Sequence, residues 1–181
     1  MKVQLEFFED ADARESLRSD LSEMEAMVAA LLESARLRHT AAALSLKSVS
    51  MVDLIRSLIP EFKDRRPGVE PGPLVDTPVN ADLEKMRIVL RNLLDNALKH
   101  TPDDGPAVSI STAHMQDRLE IVVEDRGEDI PASALPHLFE PFYRPDISRS
   151  RKTGGYGLGL SLCKAIVDAH GGSIDLVSIP G

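Results

Sequence analysis

Two runs of alternating apolar and polar residues follow directly after a long helical pattern, and this order constrains the fold more than any other feature. The helical pattern extends from about Asp82 to His100 and ends before Pro102, because proline cannot continue a helix. The runs at 107–115 and 117–125 predict two antiparallel strands joined by a tight turn. Since helices and strands mix here without a regular β-α-β order, the main part of the chain is predicted to be α+β.

Shorter patterns on either side complete a predicted domain over residues 44–181. They combine cap residues, breaks of period and short alternating runs. The predicted elements are a strand near 44–49 with Leu44 and Leu46 buried, a helix from Ser50 to about Phe62, a short helix from Pro131, a helix over 159–172 and a last strand over 173–179.

The first forty residues have a different pattern, without glycine or proline. Apolar residues recur there in steps of four and three, the period of helices that pack into coiled coils or bundles. So narrow a stripe needs partner helices, and the charged stretch Glu9–Ser16 is predicted to be the turn of a helical hairpin over residues 1–40. A single surface helix is the alternative. The stripe consists of Leu17, Leu21, Met24, Val28, Leu31 and Ala35.

Composition excludes several classes of protein. A formal net charge of −8 argues against a general nucleic-acid binder, which would carry a basic surface. The single cysteine, Cys163, cannot form an intramolecular disulfide and fits a reducing compartment. No apolar run approaches the roughly 20 residues of a membrane span, so the chain is expected to be soluble and cytoplasmic.

The long helix carries a polar stripe that suggests a ligand site. At about 100° per residue, Asn92, Asn96, Lys99 and His100 fall within one arc, and the leucines fall on another. Amide oxygens suit Mg²⁺, and a lysine one turn further can meet a phosphate. The alternative is a solvated face on which the two basic groups complement the negative end of the helix.

Asp125 ends the second alternating run and is followed by Gly127. A carboxylate at the end of a strand can accept a hydrogen bond from the exocyclic amine of a base. A nearby glycine lets the backbone approach a flat ligand. An ordinary Asp-x-Gly turn is the alternative interpretation.

Three alternating glycines, Gly155, Gly157 and Gly159, lead directly into a helix, an arrangement that favours anion binding. The pattern matches neither a Walker A loop nor a Rossmann fingerprint. The preceding loop is basic, which indicates a polyphosphate ligand, with a solvated loop as the alternative. Its cations are Arg144, Arg149, Arg151 and Lys152.

Four stretches occur in the order RNLLDNALKH, EDRG, LFEPFYR and GGYGLGLSL. This order resembles the N, G1, F and G2 boxes of bacterial sensor histidine kinases, over roughly residues 45–179. The third stretch is the discriminating one, because gyrase, Hsp90 and mismatch-repair ATPases of the same wider fold lack it. The resemblance implies a two-layer α/β sandwich that binds ATP, with a mixed sheet and helices on one face.

The resemblance also implies a role for each matching residue, with ATP and Mg²⁺ as cofactors. Asn96 would be the Mg²⁺ ligand, Asn92 and Lys99 would assist phosphoryl transfer, and Asp125 would bind adenine. Phe139, Phe142 and Tyr143 would anchor the loop that covers ATP. The implied ATP site comprises Asn92, Asn96, Lys99, His100, Asp125, Gly127, Ile130, Phe142, Tyr143, Arg144, Gly155, Gly157, Leu158, Gly159 and Leu160.

By the same resemblance, residues 1–40 are the later part of a dimerisation and histidine-phosphotransfer hairpin, which would form a four-helix bundle in a homodimer. The other implied partner is the receiver domain of a response regulator, and no nucleic-acid partner is expected. The chain is expected to be an internal fragment of a kinase whose parent is anchored in the bacterial inner membrane. None of its histidines is followed by the acceptor motif of the family: His39, His100, His114, His137 and His170.

The implied function is transfer of the ATP γ-phosphoryl group to a histidine in a two-component phosphorelay. Without an acceptor histidine, the chain alone is not expected to autophosphorylate. Asp129 stands where the family has a glycine. Two alternatives are a regulatory, non-catalytic nucleotide-binding dimerisation module and a serine kinase of the anti-sigma type. The predicted hairpin and the LFEPFYR stretch count against the serine kinase.

Overall fold

A computed structural model describes residues 11–39, 44–145 and 156–179. Four α-helices and five β-strands lie within these ranges, with 3₁₀ turns at Ile59–Phe62 and Leu135–His137. In chain order they are α1 (Ala11–His39), β1 (Lys47–Val49), α2 (Met51–Leu58), β2 (Val69–Pro71), β3 (Val79–Ala81), α3 (Leu83–His100), β4 (Val108–Met115), β5 (Arg118–Glu124) and α4 (Gly159–Ala169).

The larger sheet is mixed and has the strand order β2-β4-β5. β2 runs parallel to β4, whereas β4 and β5 form the predicted antiparallel hairpin, in register from Ser109 opposite Glu124 to Met115 opposite Arg118. The hairpin turn includes Gln116 at a φ of 55°. β1 and β3 form a separate antiparallel pair that leads into α3.

The main core lies between the larger sheet and helices α2 and α3. α2 begins at the predicted cap, where the Ser50 hydroxyl accepts a hydrogen bond from the Asp53 amide. The inward side chains of β5 pack against this core, whereas alternate side chains of that strand are exposed. Helices therefore cover one face of a mixed sheet, and the predicted α+β two-layer architecture is confirmed. Buried members include Leu54, Ile55, Leu58, Leu90, Leu94, Val108 and Ile110.

A second cluster joins α1, α3 and α4, and we refer to it as the three-helix cluster. Its buried members are Leu37 of α1, Val89 of α3 and three residues of α4. An ion pair of 2.6 Å between Lys85 Nζ and Glu33 Oε1 joins α3 and α1 beside it. The residues from α4 are Leu162, Cys163 and Ile166.

The predicted turn at Glu9–Ser16 is wrong from Ala11 onwards, because α1 is already helical there. The stretch contains good helix formers such as Ala, Arg and Glu and no residue that breaks a helix. The first arm of the predicted hairpin lies outside the described residues. On α1 itself, Met24, Val28 and Leu32 are more than half exposed, so an apolar stripe faces away from the domain.

Three shorter predictions also need correction. The short helix from Pro131 is only the 3₁₀ turn at Leu135–His137, because the chain leaves the helical path after one turn. Residues 173–179 alternate in burial but belong to neither described sheet, so the predicted last strand is not formed with the described strands. Leu46 is exposed rather than buried. None of the helices in the described ranges is both long and apolar enough to cross a membrane.

Candidate functional site

Helix α3 holds the polar stripe in place by burying its opposite side. Asp82 caps the helix by accepting a hydrogen bond from the Lys85 amide at 3.2 Å. Leu90 and Leu94 face the main core, whereas Asn92 and Asn96 are half-buried on the other side. Lys99 and His100, at the end of the helix, are exposed. The predicted separation therefore holds for Leu90 and Leu94, whereas Leu93 packs against the three-helix cluster on the side of the asparagines.

The loop after β5 contacts the end of this helix. The Gly127 amide donates a hydrogen bond of 2.8 Å to Asp125 Oδ1 and turns the loop back on itself. A Cβ atom at Gly127 would lie only 2.6 Å from the His100 carbonyl oxygen, so no side chain fits there. The glycine thus allows Asp125 to lie beside the polar end of α3.

The start of α4 approaches the same stripe. A Cβ atom at Gly159 would lie 3.3 Å from Asn92 Oδ1, which places the first turn of α4 against that amide. Gly157 has a φ of +70°, a conformation that favours glycine. Its carbonyl accepts a hydrogen bond of 3.0 Å from the Phe142 amide, and a Cβ atom there would lie 2.8 Å from the Tyr143 carbonyl oxygen. The glycines and the aromatic segment therefore pack backbone to backbone.

The aromatic segment is organised by a local contact. His137 Nδ1 lies 2.8 Å from Glu140 Oε1, and the His137 and Tyr143 rings are 5.3 Å apart. Phe142 adopts a positive φ of 66° and leaves its ring more than half exposed, a strained conformation for a large side chain. Such strain is common at functional sites.

One residue of the predicted ATP site, Lys99, lies in a separate cleft. Lys99 lines a cleft of about 520 Å³ together with Arg65 and Arg66 from the turn before β2. Arg65 pairs with Asp95 at 3.1 Å. The sequence analysis did not identify these two arginines as site residues. The only signal for them was a pair of adjacent basic residues before a Pro-Gly turn. Because Asp64 and Asp103 also line the cleft, its side chains carry little net charge.

Of the remaining predicted residues, Ile130 donates its amide to the Ser178 hydroxyl at 3.0 Å. Leu158 is buried and Leu160 is half-buried in the first turn of α4. Arg144 is half-buried. Gly155, Arg149, Arg151 and Lys152 lie outside the described residues.

The start of α3 is a polar junction that sequence reasoning missed. Asp82 is a buried residue, and its Oδ2 accepts a hydrogen bond of 2.8 Å from the Ser45 amide. Burial alone would raise the pKa of Asp82, but the hydrogen bonds from the Ser45 and Lys85 amides and the Lys85 charge outweigh it and lower the pKa. The carboxylate is therefore held in its charged form.

The donor chemistry of the site fits Mg²⁺ only in combination with a ligand. No group of three His, Cys, Asp or Glu side chains that could hold a metal occurs among residues 11–39, 44–145 and 156–179. Asn96 offers one half-buried amide oxygen, the kind of hard donor that Mg²⁺ accepts. Since Mg²⁺ commonly combines one or two protein oxygens with phosphate oxygens and water, Asn96 suits a metal that arrives with a phosphate.

Comparisons with known proteins identify a family for the chain. Residues 81–181 match the family described as histidine kinase-, DNA gyrase B-, and HSP90-like ATPase. The chain is 35% identical over 178 residues to the alginate biosynthesis sensor protein KinB of Pseudomonas aeruginosa, covering 95% of this chain and 29% of that protein. It is 36% identical over 174 residues to the adaptive-response sensory kinase SasA of Synechococcus sp. (strain JA-3-3Ab), covering 92% of this chain and 45% of that protein.

A solved structure, full-length ShkA in complex with AMPPNP, superimposes with a TM-score of 0.71 at 25% identity and covers 94% of this chain and 35% of that one. The chain therefore spans less than half the length of each of these three proteins.

Proposed function

The chain belongs to the histidine kinase-, DNA gyrase B- and HSP90-like ATPase family, and on that premise we propose that it is the ATP-binding catalytic portion of a sensor histidine kinase. The observation that carries the proposal is that two elements meet at α3. The Asp125–Gly127 loop contacts its end, and the first turn of α4 lies against Asn92. The polar stripe lies between these contacts.

Each element has a distinct task in binding ATP. Asp125 accepts a hydrogen bond from the adenine amine, and Gly127 keeps side-chain atoms out of the space beside it. The amides at the start of α4 and its positive helix end face the phosphates. Lys99, which forms no ion pair within the described part of the chain, and Arg144 supply positive charge. Asn96 would hold Mg²⁺, which when bound offsets the charge on the phosphate oxygens.

The proposed reaction is transfer of the γ-phosphoryl group to a histidine, and the role that we assign to Asn92 and Lys99 is to orient this group. Transfer of this kind depends on positioning and electrostatic stabilisation rather than on covalent chemistry by the protein. The acceptor is a histidine with the family's acceptor motif, which none of the five histidines in this sequence carries. A response regulator then receives the phosphoryl group on the cytoplasmic side of the membrane.

We further propose that residues 1–40 contribute to a dimeric helical bundle and residues 44–181 form the ATP-binding domain. Support comes from α1, where Met24, Val28 and Leu32 form an exposed apolar stripe. The face of α1 that includes Leu37 is already covered by α4. A second copy can therefore bind the exposed stripe without displacing α4.

Calorimetric titration with Mg·ATP tests the nucleotide site. We expect saturable binding by the unaltered chain and about tenfold weaker binding by Asp125→Asn, because a charged acceptor is replaced by a neutral one. Asp117→Asn is the matched control, since Asp117 is a highly exposed carboxylate at the hairpin turn. Absence of binding by the unaltered chain, or equal binding by both variants, would overturn the assignment.

Phosphotransfer is tested separately with labelled ATP. We expect acid-labile label on an added domain that carries an acceptor histidine and none on the chain alone. Binding without transfer to any such domain would instead identify a regulatory nucleotide-binding module.

A further inference from the structure

The N-terminus of α3 lacks a hydrogen-bond acceptor that many helices find within their own sequence. In a capping box, a Glu or Gln three residues after the cap accepts a hydrogen bond from the backbone N–H of the cap residue. Here the cap is Asp82 and the corresponding position is Lys85, whose ammonium group cannot accept a hydrogen bond. The Asp82 N–H must therefore find its acceptor elsewhere, because Asp82 is buried.

His170, the residue after α4, supplies that acceptor. The Asp82 N–H donates to His170 Nε2 at 3.0 Å, although the residues are 88 positions apart in the chain. His170 Nδ1 lies 2.7 Å from the Ile166 carbonyl oxygen. A carbonyl oxygen only accepts and an amide only donates, so the ring must be neutral with its proton on Nδ1. Both nitrogens of His170 are thus committed to structural hydrogen bonds.

This contact lies at the opposite end of the α3–α4 pair from the nucleotide site. Gly159 begins α4 beside Asn92, whereas His170 follows its last turn beside Asp82, so the two helices are antiparallel. At 1.5 Å per residue, α4 spans roughly 16 Å between its two contacts and α3 spans roughly 15 Å between its own. The Asp82–His170 bond thus joins the two helices at the end remote from Asn92, and the buried contacts of Val89 lie between the two ends.

We propose that His170 is a positioning residue that sets the axial register of α4 on α3, and thereby the placement of the glycine turn over Asn92. The proposal rests on the nucleotide site described above. Loss of the Nε2 acceptor leaves the Asp82 N–H unpaired at one end of the pair and frees α4 to shift. A shift moves the first turn of α4 relative to Asn92, where small displacements are costly for a bound nucleotide.

Two substitutions separate hydrogen bonding from packing. His170→Leu keeps bulk but removes the acceptor, and His170→Gln offers an oxygen near the Nε2 position. We expect Mg·ATP to bind at least about tenfold more weakly to the Leu variant and within about twofold of the unaltered chain to the Gln variant. Asp168→Asn, an exposed change two residues earlier in the chain, is the matched control. Equal affinity of the Leu and Gln variants would overturn the proposal.

A second measurement needs no nucleotide. In amide NMR spectra of the protein alone, we expect the Gly159 signal to move in His170→Leu and to remain in place in His170→Gln and Asp168→Asn. If the Leu variant does not fold, His170→Asn, whose side chain is too short to reach Asp82, replaces it. An unmoved Gly159 signal would refute the register role, whereas a moved signal in a chain that binds no ATP would uphold it and refute the proposed function alone.

Discussion

The main core and the three-helix cluster both contain residues of α3, but the two clusters lie on different sides of that helix. The main core packs α2 and α3 against a sheet and, among the described residues, has more than twice as many buried members. At about 100° per residue, Val89 and Leu93 of the three-helix cluster lie on the same side of α3 as Asn92 and Asn96. One side of α3 therefore stabilises the fold. The other is covered by α4 in its first half and open to a ligand in its second.

The largest expected effect is on the main core. Leu94 is fully buried there, so Leu94→Ala should lower the free energy of unfolding by about 3–5 kcal/mol through lost contacts and a residual cavity. Urea denaturation measures the loss. Leu46→Ala, the same change at an exposed position before β1, should change that free energy by less than about 0.5 kcal/mol. Similar losses in the two variants would contradict the assignment of the core.

A smaller and more local effect is expected in the three-helix cluster. Leu37→Ala removes the buried contribution of α1 and should cost about 2 kcal/mol. Because α1 meets the domain mainly at α4, hydrogen exchange should accelerate in the last turns of α1 and stay slow in β4. Equal acceleration of hydrogen exchange in β4 would mean that the main core and the three-helix cluster unfold together as one unit.

The smallest expected effect concerns acid stability at the start of α3. The pKa of Asp82 is lower in the folded chain, so its charge stabilises the fold above the ordinary pKa of about 3.9. That contribution, about 1 kcal/mol for a cap of this kind, is lost as the pH falls from there through the lowered pKa. Asp82→Asn keeps a cap oxygen but cannot titrate.

Urea midpoints measured from pH 7 down to pH 3 should therefore fall less steeply in Asp82→Asn than in the unaltered chain. Parallel pH profiles would show that the hydrogen bonds from the Ser45 and Lys85 amides to the Asp82 carboxylate do not stabilise the fold.

Local patterns predicted the elements that hold the site, but not how those elements meet. The period of α3, the cap at Ser50 and the β4–β5 hairpin follow from neighbouring residues and are found as predicted. The turn at Glu9–Ser16 failed because charge alone does not end a helix of good formers. The strand at 173–179 failed because a strand requires a partner, which no local pattern supplies.

The candidate site shows the same division. The polar stripe was visible as a helical arc, since its residues are one turn apart. The approach of Gly159 to Asn92 and the bond from Asp82 to His170 join residues far apart in sequence, so only the packing of α4 on α3 creates them.

The cysteine in the three-helix cluster has a practical consequence. Cys163 is the one cysteine of the sequence, its side chain is fully buried, and burial raises the pKa of its thiol to about 12. The thiolate is the form of cysteine that reacts with alkylating reagents. Since Cys163 is buried and its thiol stays protonated, the native protein should resist alkylation until α4 separates from α1 and α3. The rate of alkylation then reports how often these helices part. Cys163 is therefore a natural probe of the separation of these helices, and no cysteine has to be introduced for the measurement.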